Sequence, residues 1–152
     1  MRANIYKALV DKLKAYTDAE ENQVFKHFDL WNEQVEFIED ETPFEMPAVF
    51  IEFQTINWSD TMQNIQRGQC PIRLHVVTEW KGGTNDGSLY QEQSLKRLDI
   101  VDGMAKHLFN WSHNDGEVTI QRMQRNASHT NHNHGEVVED IEDFGCTVVQ
   151  KV

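Results

Sequence analysis

The residues with the tightest metal-ligand spacing are His129, His132 and His134, within the run His-Thr-Asn-His-Asn-His. Imidazoles bind zinc or nickel, and a metal site needs several ligands converging on one point. In an extended segment His132 and His134 share a face. Yet the run is polar and rich in asparagine, and neither spaced cysteines nor a His-Glu-x-x-His helix stands near it. It reads as a solvated hairpin tip, with adventitious metal capture and a functional site as the alternatives. No cofactor is expected. His27, His75, His107 and His113 are scattered, and His75, on the polar side of a strand, reads as a surface residue or an interface contact.

The acids come in runs: Glu39-Asp40-Glu41, and Glu139-Asp140 followed by Glu142-Asp143. Catalytic carboxylates work from an enclosure that shifts their pKa. Adjacent acids read instead as solvated surface, and these lack the order and central glycine of a calcium loop. Nucleophile motifs are missing too. There is no Gly-x-Ser-x-Gly, and Cys70 precedes Pro71 on the presumed core side of a strand, where a thiol is inert. The glycine-rich stretch 82–87 has neither a Gly-Lys-Ser/Thr ending nor Gly-x-Gly-x-x-Gly, so it reads as a surface loop. No catalytic residue is assigned, and the chain is not expected to be an enzyme.

The elements that position these residues follow from periodicity. Over 3–17, Ile5, Leu9, Leu13 and Tyr16 recur at spacings of three and four, the mark of an amphipathic helix. Residues 22–46 suggest a strand or short hairpin followed by a surface loop. Residues 47–58 read as one proline-led strand, with Val49, Ile51 and Phe53 on one side and Phe50, Glu52, Gln54, Ile56 and Trp58 on the other. A polar loop is expected over 59–66. Over 69–80, Cys70, Ile72, Leu74, Val76, Thr78 and Trp80 alternate with Arg73, His75, Val77 and Glu79. Ser88 and Gln91 look like a capping box opening a helix that runs to about Phe109, with Leu95, Leu98, Val101, Ala105 and Leu108 as its apolar stripe. Asn114-Asp115-Gly116 is a turn signal. Strands are expected over 117–127, with Val118, Ile120 and Arg122 opposite Thr119, Gln121 and Met123, and over 136–150, with a bulge near Gly145. The polar stretch 128–135 separates them.

This order predicts an α+β fold: a mainly antiparallel sheet of about four to six strands with two helices packed on one face. At 152 residues the chain is expected to form a single domain, 1–152. A domain of this size buries roughly 70% of its unfolded surface and needs no staples. Cys70 and Cys146 are expected to be reduced and buried. The 25 acids against 14 bases leave a charge of −11, which repels nucleic-acid backbone and anionic lipid. No secretory signal or run of 18 apolar residues is visible, so the default expectation is cytoplasmic, with no membrane. Of the four tryptophans, Trp80 and Trp111 read as core. Trp58, on the polar side of its strand, reads as an interface residue.

The layout resembles the tail terminator and tail-completion (head–tail joining) proteins of long-tailed bacteriophages. The helix around Ile5-Tyr6-Lys7-Ala8-Leu9, the strand Met46 to Phe53, the strand Ile72 to Trp80, the helix Gln93 to Leu108 and the final long strand pair carry the resemblance. It covers roughly 3–150 and lies in order and hydrophobic pattern. It implies a structural virion protein without catalysis or cofactor. Such a protein forms a homo-oligomeric ring, commonly a hexamer, that caps the tail tube, ends its polymerisation and joins tail to head. Its partners would be the tube protein and the head–tail connector, with DNA passing through unbound, and its address the tail or neck of the virion, assembled in the bacterial cytoplasm. Phe50, Ile56, Trp58, Arg73, His75 and Val77, on the sheet face away from the helices, are the expected interface. Alternatives are a neck or head-completion protein of the same virion, a cytoplasmic protein-binding adaptor, and a small metal-dependent hydrolase using His129, His132 and His134.

Overall fold

The computed structural model describes residues 1–37, 44–80, 82–132 and 135–152. The fold is α+β. Helix α1 spans Arg2–Lys14 and α2 spans Gln91–Leu108. The strands are β1 (His27–Leu30), β2 (Ala48–Phe53), β3 (Asn57–Met62), β4 (Ile65–Glu79), β5 (His113–Asn114), β6 (Val118–Asn131) and β7 (Val137–Lys151). They join in one sheet ordered β1-β2-β4-β7-β6-β5, with β3 also paired to β4. Every pairing is antiparallel except β1 with β2. The seven strands among the described residues exceed the four to six expected. No helix there is long and apolar enough to cross a membrane.

The extra strands come from stretches whose polarity hid them. Residues 57–62 are all exposed, so no alternation marks β3. It nonetheless pairs with β4 through a tight turn in which Asn64 takes a positive φ, a conformation asparagine tolerates. The loop expected over 59–66 is this hairpin. In the same way, 128–131 continue β6 instead of forming a polar tip. The predicted strand at 22–46 reduces to β1 and a short 3-10 helix, Gln34–Phe37. The acid run Glu39-Asp40-Glu41 lies outside the described residues.

The predicted strand 47–58 is broken by one extra residue. Phe53 pairs with Ile72 and Asn57 with Gln69, four steps on one side against three on the other. Pro71 sits opposite the break and offers only its carbonyl, to the Gln54 amide. Proline has no N–H to return, so the ladder cannot run straight past it. A one-residue slip moves every later side chain to the opposite face. Trp58 therefore does not share a side with Glu52. It pairs with Gly68, on the same side as Cys70 and Val148.

The main core joins Ile5, Leu9 and Leu13 of α1 with Met104 and Leu108 of α2. It also takes in Val49 and Ile51, Ile72, Leu74 and Val76, Val118, Ile120 and Met123, and Phe144, Cys146 and Val148. Met123 was expected opposite Val118 and Ile120. It joins them because a register shift between Gln121 and Gln124, with Arg122 at positive φ, turns the strand over. The bulges lie on β6, facing Gly145, where a Cβ would come within 2.8 Å of the Asn126 amide nitrogen. Cys70 and Cys146 are cross-strand partners, buried and unbridged. The end of α1 is fixed to α2 by Tyr16, whose hydroxyl donates to the Ile100 carbonyl, and by His107 Nε2, 2.7 Å from the Lys12 carbonyl oxygen. The helix stops at Lys14, short of the expected residue 17, because Thr17 bridges to Gln23.

Helix α2 departs from its predicted stripe. Val101, Ala105 and Leu108 are buried, but Leu95 and Leu98 are exposed. Inward positions in the first half belong to Arg97 and Ile100 instead, both half-buried. Ser88 does not cap the helix, which has no side-chain cap. Its hydroxyl donates to the Gly83 carbonyl, and Gln91 ties the loop through Asp86 and the Gly87 amide.

Candidate functional site

The sheet face opposite the main core has its own chemistry. Ala48 and Phe50 of β2, Val77 of β4 and Val137 of β7 form a second apolar cluster with Val35 and Phe44, and Trp31 and Met46 pack against it. Trp31, Val35, Phe44 and Met46 thus cover part of the face that was expected to meet a partner. Phe50 and Val77 are fully buried within this chain, which removes them from its surface. Val35 and Phe44, with Trp31 and Met46, pack with them, so they add nothing to an exposed patch.

Beside that cluster runs a chain of polar side chains. His75 lies at the middle, 3% exposed. Its Nδ1 is 2.5 Å from Glu139 Oε1 on β7 and its Nε2 is 2.7 Å from Glu52 Oε2 on β2. Trp31 stacks flat on the ring, with centroids 3.7 Å apart and planes 4° from parallel. Glu139 also accepts from Asn131 of β6 at 3.1 Å. One residue pair further along, Arg73 grips Asp143 through two bonds of 2.7 and 3.2 Å. The guanidinium holds the Asp143 carboxyl below its ordinary range, and the carboxylate raises Arg73 in return. Four strands are thereby stitched side to side. Both ring nitrogens of His75 face carboxylate oxygens. A general base needs a free lone pair within reach of substrate. Here both nitrogens are occupied and a ring face is covered, so this geometry makes His75 a crosslink.

The other side of β7 holds a second set of acids among the core residues. Glu142 accepts from Ser128 at 2.5 Å and from Arg125 at 3.4 Å, and burial raises its pKa. Asp140 accepts from Thr130 at 2.7 Å and lies 3.4 Å from Arg97 Nη1. Glu139, Asp140 and Glu142 are all buried and Asp143 is half-buried, so the run read as solvated surface is mostly interior. Its cost is offset because each acid meets a donor or cation from another element.

The remaining expected site residues are placed as follows. Arg73 is half-buried in its ion pair, and Ile56 packs on the edge of the main core. Trp58 is 38% exposed, with its ring lying against Gly68. His129 and His132 are exposed, and His129 sits in β6 on the side of Ile141. His134 lies outside the described residues. Among the described residues no group of three or more His, Cys, Asp or Glu is arranged to hold a metal ion. Trp80, expected in the core, is 37% exposed, while Trp111 packs against the core.

The sequence reading missed the exposed apolar residues at the start of α2. Leu89, Tyr90, Leu95 and Leu98 all reach solvent, Leu89 at 87%. The signal was present: Leu89 precedes the helix, and Arg97 and Ile100 lie on a different face from Leu95 and Leu98. No protein-family model matches the chain, and no curated protein matches it at a significant level.

Proposed function

We propose that this protein is a self-assembling structural component that caps a phage tail tube as a ring and joins tail to head. The observation that carries the reading is the exposed apolar set Leu89, Tyr90, Leu95 and Leu98 on a chain of net charge −11. A highly charged surface resists casual association, so apolar side chains left bare on it mark where a partner docks. In this reading both helices cover one sheet face, and the outward side of α2 meets the neighbouring subunit. The β3–β4 hairpin, all exposed along β3 and carrying Trp58, is a second arm within reach of a neighbour. The acid excess suits a lumen through which DNA slides without being held. The resemblance of the sequence to tail terminators implies the partners: tube protein below and connector above, in the tail or neck of the virion. Heterologous contacts of this kind close into a ring when the rotation per subunit allows.

Light scattering after size exclusion, with negative-stain imaging, tests this at high protein concentration and with added tube. A ring that falls apart in Leu95→Asp/Leu98→Asp, with the circular dichroism spectrum retained, supports the reading. A monomer at every concentration, indifferent to tube, defeats it.

A further inference from the structure

The sheet leaves two stretches of strand edge open, at diagonally opposite corners. On one side β1 is closed by its own side chains: the Leu30 amide donates to the Asp29 carboxylate, and the Leu30 carbonyl accepts from Gln34. Beside the other half of β4 lies β3, with no strand beyond it among the described residues. On the opposite side, β5 with Asn110 and Trp111 covers β6 as far as Met123. Further along, Ala127 to Asn131 pair with β7 alone among the described strands, in unbroken register. Edges are ordinarily blunted by bulges, proline or lysine, and this stretch has none of them. Which main-chain groups face outward follows from Pro71, whose carbonyl accepts from Gln54, away from β7. Those groups alternate sides along a strand, so the ones on Cys70 face β7. Carried through the register, the main-chain groups of Ala127, His129 and Asn131 face β7, while those of Ser128 and Thr130 face out. On β3 those of Asn57 and Ser59 face β4, while those of Trp58 and Asp60 face out.

We propose that β3 of one copy adds to β6 of the next, with Trp58 opposite Thr130 and Asp60 opposite Ser128, each pair exchanging its N–H and C=O groups. The inference rests on the assembly reading above and names its second contact, after the outward side of α2. Strand β3 runs antiparallel to β4, whereas β6 runs parallel to it by way of β7. Copies arranged head to tail in one sense therefore bring β3 against β6 antiparallel, as most strands of the sheet already pair. A closed sheet needs tilted, staggered strands, and the diagonal placement of the two edges supplies that stagger. A strand from another protein accounts for one corner, and a second copy accounts for both. Residues 127–131 carry no acid, so they receive Asp60 without the repulsion that two chains of charge −11 meet elsewhere.

The test is hydrogen exchange of the full chain, read residue by residue, in dilute monomer and in the assembly formed at high concentration. The amides of Trp58, Asp60, Ser128 and Thr130 should exchange about tenfold or more slowly in the assembly, the mark of newly made hydrogen bonds. Those of Ala127 and His129, already bonded to β7, should change far less. Asp60→Pro removes an outward N–H at a position where a strand tolerates proline. It should keep the monomer's circular dichroism spectrum and weaken association by about tenfold or more, the effect of a lost main-chain hydrogen bond. An assembly in which the four amides exchange as fast as in the monomer overturns this contact and leaves assembly through α2 standing. A folded Asp60→Pro that associates like the parent does the same. A chain that stays monomeric at every concentration, with or without tube, defeats the assembly reading and this contact together. Where Asp60→Pro fails to fold, exchange in the parent chain decides.

Discussion

The Trp58 ring lies directly across Gly68, its strand partner, so closely that a Cβ on the glycine would sit 2.9 Å from the ring. The contact exists because the break opposite Pro71 turned Trp58 to the core side, and because position 68 has no side chain. Gly68→Val should therefore push the indole off the sheet. Overpacking of this kind costs about 1–3 kcal/mol, readable in urea unfolding, and the Trp58 fluorescence should shift to the red. A valine variant as stable as the parent would show that the ring is not held there.

Gly103 offers the same logic inside a helix. Glycine in a helix interior ordinarily costs up to about 1 kcal/mol relative to alanine, so Gly103→Ala would normally stabilise. Here a Cβ would run into the Tyr16 hydroxyl, which donates to the Ile100 carbonyl. The sign reverses: Gly103→Ala should destabilise by about 1–3 kcal/mol through the forced displacement of Tyr16. In a Tyr16→Phe background the loss should shrink, since the clashing oxygen is gone. Additive effects in that double-mutant cycle would refute the contact.

His75 ties Glu52, Glu139 and Trp31 together within the sheet. Removing the imidazole takes from Glu139, 2% exposed, its 2.5 Å contact with Nδ1. His75→Ala should cost about 1–3 kcal/mol, the usual loss when a buried hydrogen-bonding group loses one partner. Pairing it with Glu139→Gln should recover part of that loss. A single variant within about 1 kcal/mol of the parent would mean that the crosslink contributes little beyond an ordinary surface contact.

Two neighbouring acids on β7 should drive stability in opposite directions with pH. Burial raises the Glu142 pKa, so the folded chain holds that proton at pH values where the unfolded chain has lost it. Its effect is most favourable below the ordinary carboxylate value and fades as pH rises through the raised one. Arg73 depresses Asp143, whose contribution is present above the ordinary value and fades as pH falls through the lowered one. In denaturant unfolding from pH 7 down to pH 3, Glu142→Gln should gain on the parent most at pH 7 and lose that advantage toward acid. Asp143→Asn should lose most at pH 7 and converge with the parent in acid. The opposite pH trend in either variant would show that the cause assigned to it is wrong.

Cys70 and Cys146 should resist thiol reagents in the native state. Both are buried, and the Cys146 thiol is pushed well up by its hydrogen bond with Cys70 and by burial. Labelling with a disulfide reagent should proceed at the rate at which the sheet opens, and quicken in step with added urea. Immediate labelling of either thiol in native buffer would contradict the placement.

Much of the fold was legible because periodicity is a local property. The alternation from Cys70 to Val76 and the spacing of Ile5, Leu9 and Leu13 report which side chains share a face, and those sets do form the core. Strand β3 was not legible, since six exposed residues leave no alternation to read. The stripe on α2 misled at Leu95 and Leu98: equal spacing cannot tell a packed half of a helix from one that leans away from the sheet.

From sequence alone came the α+β class, the core faces of α1 and of β4 from Cys70 to Val76, and the absence of recognised nucleophile or phosphate-cradling motifs, because each depends on residues close together in the chain. Tertiary structure decided the rest. Where Pro71 interrupts the ladder, one extra residue swaps the sides on which Trp58 and Glu52 lie, and no local pattern counts that residue. Glu139, Asp140 and Glu142 look like surface acids until His75, Arg97, Arg125, Ser128 and Thr130 arrive from other elements to pair them. A charge can be buried only where its partners stand, and that is a fact about distance in space.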